Sequence, residues 1–168
     1  FRSYVLVYKD NQERLQGFVY KDAICYMAYS PYNKNKFTED VMLTNLDASR
    51  RTAAARGKST KNLNQIYTCN FFDHYDGNAN DIKRQINDLA NLTIKGYKDQ
   101  IRCRNKFETF YGCFHLLAYD LMIADDGKLY ILEVNTAPGF KGPRGTWGSE
   151  KLTEFFDDIF KLTIDKKT

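Results

Sequence analysis

The chain has 168 residues, which is enough for one domain with a hydrophobic core. Hydrophobic residues make up 43% and aromatic residues 15% of the sequence, which excludes a disordered chain and favours β structure. The net charge of +4 suits an anionic ligand such as a nucleotide or an acidic peptide, while no apolar run approaches the ~20 residues of a membrane span.

The predicted elements, taken in chain order, indicate one domain with a largely antiparallel sheet flanked by helices. Strands are predicted over 1–8, 17–30, 41–45, 110–124 and 129–135. Because the sequence opens directly on a strand at Phe1, we expect it to begin inside a domain, with part of the fold preceding it.

Two amphipathic helices are predicted to cover the sheet, and residues 46–62 read as part helix and part loop. Over 78–97, Ile82, Ile86 and Leu89 fall at helical spacing, with Asn80 or Asp81 as the N-cap. Over 149–162, Ser149 is the expected N-cap of a helix whose apolar stripe is Leu152, Phe155, Phe156, Ile159 and Phe160.

The four cysteines show no CxxC or Cys/His spacing typical of a metal site. We therefore expect free thiols in a reducing compartment, and hence a cytoplasmic protein.

A hairpin near the C-terminus is predicted to bring three polar side chains together. If Asp126-Gly127 forms a two-residue turn, residue 125 faces residue 128, and Asp120 lies directly opposite Glu133. Asn135 then shares a face with Glu133, because side chains alternate along a strand. The same register places Tyr130 and Leu132 against helices and Leu129 and Ile131 beside the acids.

Two interpretations of the Asp120–Glu133 pair remain open from the residues alone. Two carboxylates roughly 4.5–5.5 Å apart at Cβ repel each other unless a cation lies between them. Asp, Glu and Asn oxygens are ligands that Mg²⁺ prefers, which favours a metal site. Alternatively, both acids lie at sheet edges and are simply solvated.

Three segments resemble the tubulin tyrosine ligase-like branch of the ATP-grasp ligases. YDLMIADDGKLYILEVNTAPG (119–139) resembles the metal-binding hairpin of that branch, with its EVN motif followed by proline. The segment 19–45, which contains SPY and VMLTN, resembles its "PY" loop and "HLTN" motif, and FRSYVLVY (1–8) resembles its "FDIRVYVLV" strand. The resemblance implies an α+β fold in which 1–168 is the C-terminal portion of a single ATP-grasp domain.

The resemblance also implies site residues and a reaction. Asp120, Glu133 and Asn135 would hold Mg²⁺, with Mn²⁺ able to substitute, while Thr44 and Asn45 would reach ATP. Arg2 would act on the phosphates and on an acyl-phosphate intermediate. The reaction would join a free amino acid to a carboxylate of a protein or peptide, with no nucleic-acid or membrane partner, and we expect the chain alone to be inactive.

Two departures from the family pattern concern the substrate. Met42 replaces the histidine of "HLTN", and Tyr26 replaces an arginine placed to meet an acidic peptide tail. These changes argue against tubulin as the acceptor and leave open a binding or structural protein without turnover. The Pro-Gly after the EVN motif also occurs in related peptide ligases, so a neighbouring ATP-grasp branch stays open, as does an anion-binding domain whose EVN motif is coincidental.

Two further segments allow a functional and a structural interpretation. A basic patch near Thr44 and Asn45 is either solvated charge or a contact for an acidic substrate; it comprises Arg50, Arg51, Arg56, Lys58 and Lys61. The loop after the EVN motif is either a substrate-contacting lid or a chain reversal before the last helix; its candidate contacts are Lys141, Arg144 and Trp147.

Overall fold

The fold is built on one antiparallel sheet, and the computed structural model describes residues 1–10, 12, 14–61, 63, 67–101 and 112–165. The strands are β1 (Arg2–Asp10), β2 (Leu15–Tyr26), β3 (Thr68–Asn70), β4 (Gly112–Ile123) and β5 (Leu129–Asn135). The helices are α1 (Glu39–Met42), α2 (Leu46–Ala55), α3 (Phe71–His74), α4 (Ala79–Tyr97) and α5 (Lys141–Thr163).

The strand order is β3-β2-β1-β4-β5, and every neighbouring pair is antiparallel. The predicted α+β class with a largely antiparallel sheet is therefore confirmed. Residues 110 and 111 of the predicted fourth strand lie outside the described residues.

Helices cover both faces of the sheet, because the central strand β1 buries side chains on each face. Val5 and Val7 point to the face covered by α4, which contributes Ile82, Ile86, Ala90 and Ile94. Tyr4 and Leu6 point to the face covered by α5, which contributes Trp147, Phe155 and Ile159. The alternation along one strand thus gives two hydrophobic cores.

The helix predictions are confirmed in type, with corrections at their starts. The N-cap of α4 is Asn78, whose side chain accepts from the Asp81 N–H, rather than Asn80 or Asp81. In α5, Gly148 has a φ of 72° and a ψ of −176°, so a second helical segment begins at Ser149, as predicted. The residues before Gly148, predicted as a loop, are helical.

Trp147 corrects the proposed lid. Its side chain is 7% exposed and packs against Tyr4, Tyr20 and Phe155 in the core beneath α5, so it is not a substrate contact. The side chains of Lys141 and Arg144 lie outside the described part of the structure.

The strand predicted over 41–45 is wrong. Val41 and Met42 complete the short helix α1, and Asn45 caps the start of α2. The apolar residues of this segment resemble a strand, but Val41 is buried from within a helical turn, at 4% exposure.

The cysteine prediction is confirmed in part. Cys25 and Cys69 are free thiols, whereas Cys113 is disulfide-bonded.

Candidate active site

A cleft of about 550 Å³ opens where β1, β4 and β5 meet the start of α2. Five of the six site residues named from the sequence line it: Arg2, Thr44, Asn45, Asp120 and Glu133. The sixth, Asn135, lies at the edge of this group and contacts Asp120. Residues separated by more than a hundred positions in the sequence therefore share one cavity.

Arg2 and Asp120 form the most tightly connected pair of the cleft. They are directly opposed on β1 and β4. The Arg2 Nε–H and Nη2–H groups donate to Asp120 Oδ1 and Oδ2, each at 2.7 Å. This bidentate bond raises the pKa of Arg2 above its ordinary value, so the guanidinium stays charged.

Asp120 is also opposed to Glu133 on its other side, as predicted, although the predicted turn is wrong. Ala124 N–H donates to Lys128 O and Gly127 N–H to Ala124 O, which leaves a three-residue loop instead of a two-residue turn. Gly127, at a φ of 79°, takes the left-handed conformation that such a loop requires.

A β-bulge restores the acid pair. Leu121 pairs with Ile131 and Asp120 pairs with Glu133, so Leu132 is an extra residue on β5. The longer turn shifts the pairing of β4 with β5 by one residue, and the extra residue Leu132 shifts it back before Glu133 is reached.

The bulge reverses the predicted faces for the outer part of β5. Leu129 and Ile131 pack into the α4 core, while Tyr130 and Leu132 are 52% and 63% exposed. The prediction that Tyr130 and Leu132 pack against helices is therefore wrong. Both Leu132 and Glu133 line the cleft, as two successive residues at a bulge can.

Thr44 and Asn45 reach the cleft from the turn before α2. Asn45 Oδ1 accepts from the Ala48 N–H at 2.7 Å, which caps the ten-residue helix. The N-terminus of a helix carries a partial positive charge that favours anions. The position predicted for the nucleotide is therefore electrostatically suited to a phosphate.

Asp40 fixes the turn before α2. Its Oδ2 accepts from Ser30 Oγ at 2.6 Å and from Arg56 Nη2 at 2.7 Å, and Lys36 Nζ lies 3.5 Å away. These bonds connect the loop after β2, helix α1 and the end of α2. Thr44 and Asn45 lie within the segment that they enclose.

The sequence analysis named Arg50 within the basic patch but missed Asp47, its neighbour in the cleft wall. Asp47 and Arg50 on the first turns of α2 face the cavity and form an ion pair at 2.9 Å. The Tyr26 ring lies 5.6 Å from the Arg2 guanidinium in a cation–π contact. The helix predicted within 46–62 puts Asp47 and Arg50 three residues apart on one face, which is the signal that could have identified their ion pair.

The basic patch is largely neutralised by carboxylates. Arg50 pairs with Asp47, Arg51 with Glu39 and Arg56 with Asp40. For Arg51, this pairing favours the interpretation as solvated surface charge. Arg50 instead lines the cleft.

The donor set fits a divalent cation. Asp120, Glu133 and Asn135 supply the hard oxygen ligands that Mg²⁺ prefers. Glu133 has no hydrogen-bond or ion-pair partner among the residues that the structure describes, so its carboxylate is available. Within those residues no three His, Cys, Asp or Glu side chains cluster as a metal site would need; here the third candidate ligand is the amide of Asn135. A cation at Asp120 would share that carboxylate with Arg2.

Comparison with known proteins identifies the family. The tubulin-tyrosine ligase family matches residues 1–168, the whole chain. No curated protein matches the chain significantly. Across the described part of the chain, no helix is long and apolar enough to cross a bilayer. The chain belongs to the tubulin-tyrosine ligase family, a family of ATP-grasp-type ligases that join a carboxylate to an amine.

Proposed function

We propose that this chain is the C-terminal portion of an ATP- and Mg²⁺-dependent ligase that adds an amino acid to a carboxylate of a protein or peptide. The observation that carries the proposal is the convergence of Asp120, Glu133 and Asn135 in the cleft that also holds Arg2, Thr44 and Asn45. Family membership supports the general ligase chemistry.

The proposed reaction has two steps. A carboxylate oxygen of the acceptor attacks the γ-phosphorus of ATP, and the bond to ADP breaks to leave an acyl phosphate. The amine nitrogen of the amino acid then attacks the acyl carbon, phosphate leaves, and the nitrogen loses a proton as the amide forms. Mg²⁺, when bound, offsets charge on the transferred phosphoryl group.

The residues of the chain have separate roles in this proposal. Asp120, Glu133 and Asn135 hold the cation, and the start of α2 orients phosphate oxygens. Arg2 lies within the cleft with a charge that stabilises the pentavalent phosphorus and the acyl phosphate. Its bond to Asp120 fixes the guanidinium before substrate arrives.

Glu133→Gln tests the metal role, because the substitution keeps the size of the side chain and removes its charge. We expect Mn²⁺–ATP binding by the full-length protein to weaken by roughly 10–100-fold or more, with a matching loss of ATP turnover. Glu150→Gln, an exposed acid on α5, is the matched control and should leave both unchanged. Equal binding and turnover in wild type and Glu133→Gln would contradict the proposal.

A second candidate is a protein that binds a nucleotide without turning it over and whose function is to bind a partner. Tyr26 favours it: this residue stands where the family places an arginine for an acidic tail, and its ring packs on Arg2 inside the cleft. Measurement of Mn²⁺–ATP binding alongside ATP turnover separates the two candidates. Tight binding without turnover, in the presence of amino acids and acidic peptides, would favour the second.

A further inference from the structure

Two free thiols face each other beside the cleft, and neither has a role in the proposed ligase reaction. Cys25 on β2 and Cys69 on β3 are directly opposed in the sheet register. Both are half-buried and reduced. Cys25 precedes Tyr26, whose ring contacts Arg2, so the pair lies one residue from the cleft wall.

The backbone geometry allows a bond between the two sulfur atoms. Met27 N–H donates to Tyr67 O at 2.9 Å, two residues beyond the cysteines on each strand. Cys25 and Cys69 therefore form a hydrogen-bonded pair, whose Cα atoms lie about 5.5 Å apart in antiparallel sheets. Disulfides form over Cα separations of about 4.4–6.8 Å.

The bond would carry some strain, and the position of β3 allows it. Opposed Cβ atoms lie roughly 4.5–5.5 Å apart, against about 3.5–4.5 Å in a disulfide. β3 has three residues and is an edge strand of the described sheet, so it can approach β2 without disturbing a further strand. Strained disulfides are more readily reduced, which makes such a bond reversible.

We propose that Cys25 and Cys69 form a modification site at which a hydroperoxide oxidises the two thiols to a disulfide. The Cys25 thiolate attacks one peroxide oxygen, the O–O bond breaks, and the leaving hydroxide takes a proton to become water. Cys69 sulfur then attacks the resulting Cys25 sulfenic acid; the S–O bond breaks, and a second water leaves with the Cys69 proton. Two thiols and one peroxide give one disulfide and two waters.

The order of attack follows from the surroundings of Cys69. Burial, together with the neighbouring Cys25 thiol, raises the pKa of Cys69 to about 11. This shift disfavours the thiolate of Cys69, and thiolates are the attacking species. This assigns the first attack to Cys25 and the resolving step to Cys69.

Peptide mapping of the full-length protein tests the site directly. After reduction, exposure to hydrogen peroxide and alkylation, trypsin releases the peptides 22–34 and 62–83, which hold one cysteine each. We expect both to lose alkylation and to appear as one linked species that dithiothreitol separates. Persistent alkylation of both peptides, or Cys25 sulfinic acid with Cys69 still alkylated, would overturn the proposal.

Single substitutions test the order of the two steps. In Cys69→Ser, Cys25 should stop at the sulfenic acid, which dimedone traps; in Cys25→Ser, Cys69 should remain fully alkylatable. Oxidation of Cys69 in Cys25→Ser at the wild-type rate would contradict the assigned order. The double variant Thr68→Cys, Cys69→Ser is the matched control, since it keeps two thiols but places one on the opposite face of β3, and it should give no linked peptide.

Discussion

Asp120 is the side chain on which the candidate active site converges. It accepts both hydrogen bonds from Arg2 and one from Asn135 Nδ2 at 3.3 Å, and it is opposed to Glu133. Both oxygens are engaged by other residues before any cation binds. Arg2 and a cation therefore compete for the same carboxylate.

Replacement of Arg2 by methionine should separate cation binding from turnover. Loss of the competing bonds to Asp120, worth about 1.5 kcal/mol for a charged pair, should tighten Mn²⁺ binding in the absence of nucleotide by roughly tenfold. Turnover should fall by about a hundredfold, because the charge near the phosphates is lost. Mn²⁺ titration followed by electron paramagnetic resonance, with an ATP turnover assay, measures both.

Arg14→Met is the control for the Arg2 substitution. Arg14 donates one side-chain hydrogen bond to Asp10, at 2.7 Å, at the far end of β1 from the cleft. Neither the Mn²⁺ affinity nor the rate of ATP turnover should change in Arg14→Met. Weaker Mn²⁺ binding in Arg2→Met would show that Arg2 assists the cation rather than competing with it.

Asp40 makes a pH-dependent contribution to stability. Hydrogen bonds from Ser30 and Thr38, with the charges of Arg56 and Lys36, hold the pKa of Asp40 well below its ordinary value. Because the folded-state pKa is the lower one, the stabilisation is complete above the unfolded pKa of about 3.9 and is lost as pH falls through the folded pKa.

Asp40→Asn should therefore reduce the free energy of unfolding at neutral pH, with a difference from wild type that shrinks below about pH 4. Denaturant unfolding at several pH values measures it. Asp47→Asn, which removes an exposed acid with one ion pair to Arg50, is the control and should change the free energy of unfolding less than Asp40→Asn. A difference independent of pH down to the acid limit would contradict the assignment to the Asp40 charge.

Gln85 positions the hairpin that carries the acids. From α4, its Nε2 donates to Gly127 O at 3.0 Å, and its Oε1 accepts from the Leu129 N–H at 2.9 Å. One side chain thus satisfies two backbone groups on either side of Lys128. The turn between β4 and β5 is fixed to the helix layer by these bonds.

Gln85→Leu should destabilise the protein by about 1–3 kcal/mol, because the backbone groups of the hairpin lose their partners. Hydrogen exchange of the Leu129 amide should accelerate together with this loss. Asn91→Leu, on the exposed surface of the same helix, should change the stability and the exchange of the Leu129 amide little. Unaltered exchange at Leu129 in Gln85→Leu would show that the hairpin does not depend on the helix.

The hairpin also shows what the sequence could and could not predict. The strand pattern and the acids identified the pair of Asp120 with Glu133, but the turn was assigned one residue too short. The burial of Leu129 and Ile131 against α4 decides the register, and this tertiary preference is invisible in a strand that is apolar on both faces. Residues 41–45 were wrongly predicted as a strand for a similar reason, since a helix cap such as Asn45 reads equally well as the end of a strand; the helix predicted within 46–62 is present as α2.

The molecule as a whole depends on two cores, one on each side of β1. The predicted stripe of α4 packs into its core, and so does most of the stripe of α5, because 3.6-residue periodicity is a local property. Phe160, predicted within the α5 stripe, is instead 44% exposed. The assignment of each helix to a face, and the burial of Trp147, depends on contacts between residues far apart in sequence. Sequence pattern alone does not contain those contacts.

Two phenylalanines of α5 test the core beneath that helix. Phe155 is 1% exposed and packs on Tyr4 and Tyr20, whereas Phe160 is 44% exposed. Phe155→Ala should cost about 3–5 kcal/mol of unfolding free energy. Phe160→Ala should cost less than about 1 kcal/mol. Chemical denaturation of the two variants compares them, and similar losses would contradict the assigned orientation of α5.

The bulge at Leu132 has a consequence for tolerance to change. A hairpin with a two-residue turn and no bulge, and one with a three-residue loop and a bulge, both place Asp120 opposite Glu133. They differ in the apolar residues that they bury: the hairpin with the bulge buries Leu129 and Ile131, whereas the one without it would bury Tyr130 and Leu132. A substitution near Gly127 that changes the type of turn can thus be absorbed at Leu132, and the two carboxylates stay opposed because the number of residues between them is the same in both arrangements.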